Sequence, residues 1–153
     1  FKALFDSCEP HMVHWHPAPG KWSMLEIVCH LYDEEREDFR ARVDHVLHRP
    51  QEKMPAIDPE GWVILRDYKD QSFPQMVDQF ISERIASVRW LKSLESPQWE
   101  NIYKVHEEFG PLTADLFLHN WLAHDYLHIR QINQLKLDWL AYHSIPSLKY
   151  AGG

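Results

Sequence analysis

The run Leu118-His119-Asn120-Trp121-Leu122-Ala123-His124-Asp125-Tyr126-Leu127-His128-Ile129-Arg130-Gln131-Ile132 contains neither Gly nor Pro, and its apolar positions return at helical rather than alternating spacing. A chain built around it must contain a long helix. Residues four apart lie one above the other on a helix, so the imidazoles of His124 and His128 can aim at one point. Such a pair is a standard way for a helix to offer two nitrogens to a metal. Two ligands hold an ion poorly, so the source of a third is the question put to the rest of the chain.

Gly110-Pro111-Leu112-Thr113 leads into this helix, with Thr113 as N-cap and Asp115 in the favourable first turn. The helix is expected to continue to about Leu137 or beyond, with Ile145-Pro146 as its latest end. Upstream, Ser23-Met24-Leu25-Glu26 forms a capping box flanked by Trp22 and Ile27, and starts a helix reaching about His48, before Pro50. Its expected core stripe is Met24, Ile27, Val28, Leu31, Val46 and the stem of Arg42, with Phe39 and His30 at the two margins. His45 and His48 in its last turns are read as complements to the helix dipole.

Ser72-Phe73-Pro74-Gln75 predicts another capped start, for a helix burying Met76, Phe80, Ile81 or Ile85, Val88, Leu91 and Leu94 and ending at Ser96-Pro97. Residues 2–15 read as a helix interrupted near Pro10. His11, His14 and His16 crowd there; a metal cluster is one reading, and solvent-facing imidazoles beside Pro17 and Pro19 are the favoured one. Residues 50–71 and Trp99 to Phe109 are the connections, the first with one short turn around Trp62 to Asp67, the second with Ile102, Tyr103 and Val105 pairing briefly as extended backbone. Together these segments predict an all-α four-helix bundle in a single domain over 1–153, with long connections between helices 2 and 3 and between helices 3 and 4. The chain opens on Phe1 without an initiator Met, so a missing N-terminal piece is expected.

A formal charge of −7 leaves no basic stripe to neutralise phosphates, so nucleic acid is not an expected partner. No apolar run approaches a membrane span. Cys8 and Cys29 are too few for a disulfide framework and read as free thiols of a cytoplasmic protein. Exposed apolar side chains on long helices leave room for a homodimer without specifying its interface.

If the helix carrying His30 faces the one carrying His124 and His128, three imidazoles meet and leave coordination positions open, the pattern of a catalytic rather than a structural site. Imidazole suits zinc, nickel, copper or iron alike. Glu34, one turn after His30, reads either as a general base or partner for a ligand N–H, or as a solvated acid at the helix margin. Asn120 reads as a hydrogen-bonding neighbour of the pair and His119 as interfacial. Asp125 points about a quarter-turn from His124 and is assigned to the helix surface or to an adjacent subunit. The Trp excess (Trp22, Trp90, Trp121) is read as packing.

Lys21-Trp22-Ser23-Met24-Leu25-Glu26-Ile27-Val28-Cys29-His30-Leu31, with Glu34 following, resembles the first signature of the DinB/YfiT-like metalloenzyme superfamily. Phe109-Gly110-Pro111-Leu112-Thr113 followed by His124-x-x-x-His128-Ile129-Arg130-Gln131-Ile132 resembles its second. The similarity spans most of the chain at matching separation, though only about half of the usual first helix precedes Pro17. The resemblance implies an antiparallel four-helix bundle whose triad, His30, His124 and His128, carries zinc or nickel. It also implies activities such as thiol-dependent S-transfer, with a low-molecular-weight thiol, or maleylpyruvate isomerisation, while the open metal position itself suits thiol transfer or metal-assisted hydrolysis of a small-molecule substrate. Two rivals stand beside it. One is an HD-type phosphohydrolase reading of His124-Asp125, which needs Asp125 as a ligand and Asp138 as a further acid. The other is a non-catalytic metal-binding or interaction module.

Overall fold

The computed structural model describes residues 1–144 and 148–151. Three long helical segments make up most of it. The first runs unbroken over 24–48 in three geometries: α2 (Met24–Asp33), a π turn (Glu34–Phe39) and α3 (Arg40–His48). The second is α5 (Phe73–Ser93) and the third α6 (Ala114–His143). The short helices α1 (Lys2–Asp6) and α4 (Pro59–Leu65) fill in around them. Helix α2 packs on α5 and α4, and α3 packs along α6. No helix among the described residues is long and apolar enough to cross a membrane.

Caps explain where the main helices begin. The Ser23 side chain accepts from the Glu26 amide, and Glu26 Oε2 accepts from the Ser23 amide at 2.7 Å, closing the capping box. Thr113 Oγ1 accepts from the Leu116 amide at 3.0 Å at the head of α6. Ser72 precedes α5 without a side-chain bond of this kind, contrary to the capping box read there. The segment 2–15 is also less helical than expected: α1 stops at Asp6, and only a 3-10 turn, Pro10–Met12, follows. His11, His14 and His16 are exposed on this stretch.

The π turn corrects the expected stripe of the first long helix. A wide turn adds about one residue to the register, so Val43, fully buried, takes the inward place expected for Arg42. Three successive acids, Asp33, Glu34 and Glu35, are buried here and turn to different neighbours. Asp33 accepts from the Tyr68 hydroxyl at 2.6 Å and from Arg66 and Arg36. Glu35 accepts from the Trp121 indole at 2.9 Å and pairs with Arg84 at 2.7 Å. Glu34 turns to Asp38, with the Arg42 charge nearby. His45, expected to complement the helix dipole, is buried instead, its Nε2 2.9 Å from the Glu52 carbonyl oxygen, and fastens the following connection.

Helix α5 buries Met76, Val77 and Phe80 in its first half, but its second half turns Arg84 and Ser87 inward and leaves Ile85 and Val88 exposed. The inversion has a cause across the interface. Arg84 neutralises Glu35 of the π turn and Asp125 of α6, so a polar contact displaces the apolar stripe. Asp125 is therefore a buried ion-pair partner within the chain and not a surface residue.

The connections are more structured than expected. Residues 49–72 contain α4, capped by Asp58, and a 3-10 turn at Tyr68–Asp70. Residues 94–113 contain an antiparallel hairpin, β1 (Ile102–His106) with β2 (Gly110–Thr113), so the fold is mostly helical rather than purely so. Gly110, paired with His106, has φ +72°, a conformation in which a Cβ is strained. Helix α6 ends at His143; the limit set by Ile145-Pro146 lies outside the described residues.

Candidate metal centre

His30 occupies the last turn and a half of α2, where the capping box has fixed the helix phase. His124 and His128 stand one turn apart on α6. The two helices bring their Nε2 atoms together: His124 lies 3.2 Å from His30 and 3.0 Å from His128. Among the described residues this is the one group of three or more His, Cys, Asp or Glu side chains converging closely enough to hold an ion, with the three ligand atoms within 4.8 Å of one another.

The donor set fits a divalent transition metal. Zinc–imidazole bonds of ~2.0–2.1 Å in tetrahedral geometry separate ligand nitrogens by ~3.3 Å, close to the separations found here. Protons satisfy the cluster poorly. An Nε2–H on His124 can serve only one of its two neighbours, and an unprotonated Nε2 offers a single in-plane lone pair for both. A cation at the centre accepts all three lone pairs at once.

The rings are also kept ready for a cation. Burial first, then His128 and His124, lower the His30 pKa to about 3. Burial, His128 and Arg84 lower that of His124 to about 3, and burial lowers that of His128. All three are neutral at physiological pH, so no proton has to leave before a metal binds. Packing orients them. The Trp22 ring lies 4.7 Å from His30 and runs parallel to His128 at 6.5 Å, and Phe39 lies 4.8 Å from His124. The Nδ1 atoms of His30 and His128 are buried without a hydrogen bond of good geometry among the described residues; Gln131 lies beside His128, while ring contacts surround His30 in place of the polar outer partners common at such sites.

Glu34 is buried one turn beyond His30. Its pKa is pushed up to about 8, by burial first and then by a hydrogen bond with Asp38, which keeps it a neutral acid near neutral pH. Asn120 is exposed and donates to the Leu116 carbonyl of its own helix at 2.8 Å, and His119 is exposed with Nδ1 2.9 Å from the Asp115 carbonyl. Asp125, the extra ligand an HD-type site needs, has both oxygens engaged by Arg84.

A cleft of about 900 Å³ opens beside the triad, and His128 and Trp22 form part of its wall. Trp22 is thus a wall of the site as well as a packing residue, a role its position directly before the Ser23 cap could have suggested. Such a mostly helical chain joins three neutral imidazoles from distant segments, close enough to hold a metal ion, beside an open cleft.

The chain belongs to the DinB superfamily, whose family model matches residues 1–132 and so spans all three imidazoles. Among solved structures, one similar in fold is YfiT from Bacillus subtilis, described as a probable metal-dependent hydrolase with an unusual four-helix bundle topology. It aligns with a TM-score of 0.69 at 20% identity, over 88% of this chain and 76% of YfiT. No curated protein matches the sequence.

Proposed function

We propose that this chain is a metal-dependent enzyme acting on a small molecule, a hydrolase or thiol-dependent S-transferase, with His30, His124 and His128 as ligands of a zinc or nickel ion in an antiparallel four-helix bundle. The observation that carries the reading is the convergence of three Nε2 atoms from α2 and α6, at 3.0 and 3.2 Å, on the wall of an open cleft. A divalent ion held there supplies Lewis-acid polarisation and lowers the pKa of a water or thiol placed on it. The chain does the rest. Neutral imidazoles hold the ion, Trp22 and Phe39 fix the ring planes and exclude solvent from behind, and the cleft admits substrate from the His128 side. Glu34, protonated and one turn from His30, is placed in this reading as a proton store beside the site, and Asn120 as a residue of its outer surroundings.

Neither cysteine is assigned a role. Cys29 is buried with its pKa pushed up to about 12, and burial also raises that of Cys8, so neither is a ready thiolate. Their free state suits a reducing cytoplasm.

Elemental analysis of untagged protein tests the triad. Wild-type protein is expected to carry about one zinc or nickel per chain, and His30→Ala, His124→Ala and His128→Ala to lose it while retaining the helical circular dichroism signal. Full occupancy in any of the three variants refutes the ligand set. Loss of metal in Asp125→Asn with retention in His30→Ala would favour the HD-type site. Turnover of activated esters and of electrophiles, each with and without added low-molecular-weight thiol, separates hydrolysis from thiol transfer.

A further inference from the structure

The cleft carries charges that a metal site alone does not use. One wall is the segment 15–22, contributing Trp15, Lys21 and Trp22. The other is a face of α6 that begins at His128 and continues through Gln131, Leu135 and Asp138 to Tyr142. At ~1.5 Å per residue, Asp138 stands ~15 Å and Tyr142 ~21 Å along the axis from His128. The cleft is therefore elongated, with the imidazoles at one end and an aromatic pair, Trp15 and Tyr142 with ring centroids 5.7 Å apart, at the other.

The cations are unevenly placed. Both line the cleft: Lys21 directly precedes the Trp22 ring that covers His30, and Arg130 stands only ~3 Å along the α6 axis from His128, though on a different side of the helix, so both lie toward the imidazole end of the cleft's length. Among the described residues neither is paired with a carboxylate, whereas Arg36, Arg40, Arg42, Arg66 and Arg84 each hold one. Two unpaired cations on one rim of a chain with net charge −7 form a local positive field. Asp138 supplies the opposite sign farther along, its Oδ1 accepting from Gln134 at 2.9 Å. An anion entering this cleft is drawn toward the imidazole end and repelled from the distal one, and the walls between, Leu135 and the aromatic rings with Gln131 and Gln134 among them, suit a mostly apolar body.

We propose that the cleft recognises a small organic acid, whose carboxylate lies between Lys21 and Arg130 and whose apolar or aromatic body extends along Trp22 and Leu135 toward Trp15 and Tyr142. This names the substrate class for the proposed metal enzyme and rests on that reading only for the reaction, since the binding groups belong to the chain. Arg suits the head group because its planar fork matches a carboxylate, while Lys adds a point charge from the facing wall.

The test compares 2-naphthylacetate with its neutral isostere 2-naphthylacetamide, followed by quenching of tryptophan fluorescence and by calorimetry, on protein as purified and after chelation. The acid is expected to bind on the order of tenfold more tightly than the amide, the effect of one charge-assisted hydrogen bond. The Lys21→Gln/Arg130→Gln double variant is expected to bind both probes equally while keeping its full metal content and melting temperature. Equal binding of acid and amide by the wild type overturns the proposal. So does a preference for the acid that survives in the double variant and disappears in His30→Ala, because the carboxylate would then be held at the triad alone. A preference that persists in chelated protein and in His30→Ala but is lost in the double variant supports the proposal whatever metal analysis says of the triad, and one that survives in the double variant overturns it.

Discussion

Glu34 carries the clearest pH signature of any single residue. Burial and Asp38 hold its carboxyl neutral up to about pH 8 in the folded chain, against an ordinary value of 4.5. Below pH 4.5 the group is protonated whether or not the chain is folded, and it leaves stability unchanged. Between 4.5 and 8 the unfolded chain gives up this proton and the folded chain keeps it, so stability falls as pH rises, by at most ~1.4 kcal/mol per unit. Glu34→Gln keeps a neutral hydrogen-bonding side chain that does not titrate. Its melting temperature is expected to match the wild type at pH 4.5 and to exceed it increasingly toward pH 8, in melts run with metal chelated. A difference that does not change with pH would show that the acid is not held neutral. Glu35, next in sequence, differs because Arg84 and the Trp121 indole oppose the upward pull of burial. Both carboxyls are shifted upward by burial, Glu35 against this opposition, and the wide turn gives two adjacent glutamates different partners.

The two serine starts put helix caps to a quantitative test. Ser23 both accepts from and donates to Glu26, so Ser23→Ala is expected to cost about 1 kcal/mol in urea unfolding. Ser72 makes no such bond, and Ser72→Ala is expected to stay within about 0.5 kcal/mol of wild type. Equal losses would mean the Ser23 box contributes nothing beyond propensity. Their sequences look alike, Ser-x-x-Glu and Ser-x-x-Gln, and pattern alone could not separate them. Elsewhere the starts of α2 and α6, the end of the first long helix near His48 and the extended pairing at Ile102 to Val105 were legible, because caps, prolines and β-branched residues act locally. The π turn was not. A 3.6-residue period assumes regular winding, and the buried acids where the winding widens take their partners from outside the segment, in Arg84, Trp121, Tyr68 and Arg66. The inward turn of Arg84 and Ser87 is illegible for the same reason: apolar periodicity assigns the core to Ile85 and Val88 and carries no signal of a buried acid on another helix.

At the scale of the molecule, the centre draws on segments 94 residues apart. The His124 and His128 pair was visible from spacing alone. His30 was a conditional third ligand from its place at the margin of its helix stripe, and the resemblance of its flanking motif supplied the pairing of helices that no local rule gives; the cleft was invisible because it depends on where residues 15–22 pass across α6. The same geometry would give a metal bound in the proposed site a structural consequence. An ion bound through His30 on one side and His124 with His128 on the other ties α2 to α6, and the unfolded chain cannot assemble that arrangement. Binding to the native state alone stabilises by ~2.7 kcal/mol at a free concentration of 100 Kd. For a chain of 153 residues that corresponds to roughly 5–10 °C in melting temperature. Zinc or nickel added to chelated protein is expected to raise the melting temperature by this amount, and His30→Ala, which leaves a two-ligand remnant on a single helix, to abolish most of the shift. An equal shift in His30→Ala and wild type would place the stabilising ion on α6 or elsewhere, and would remove α2 from the metal centre.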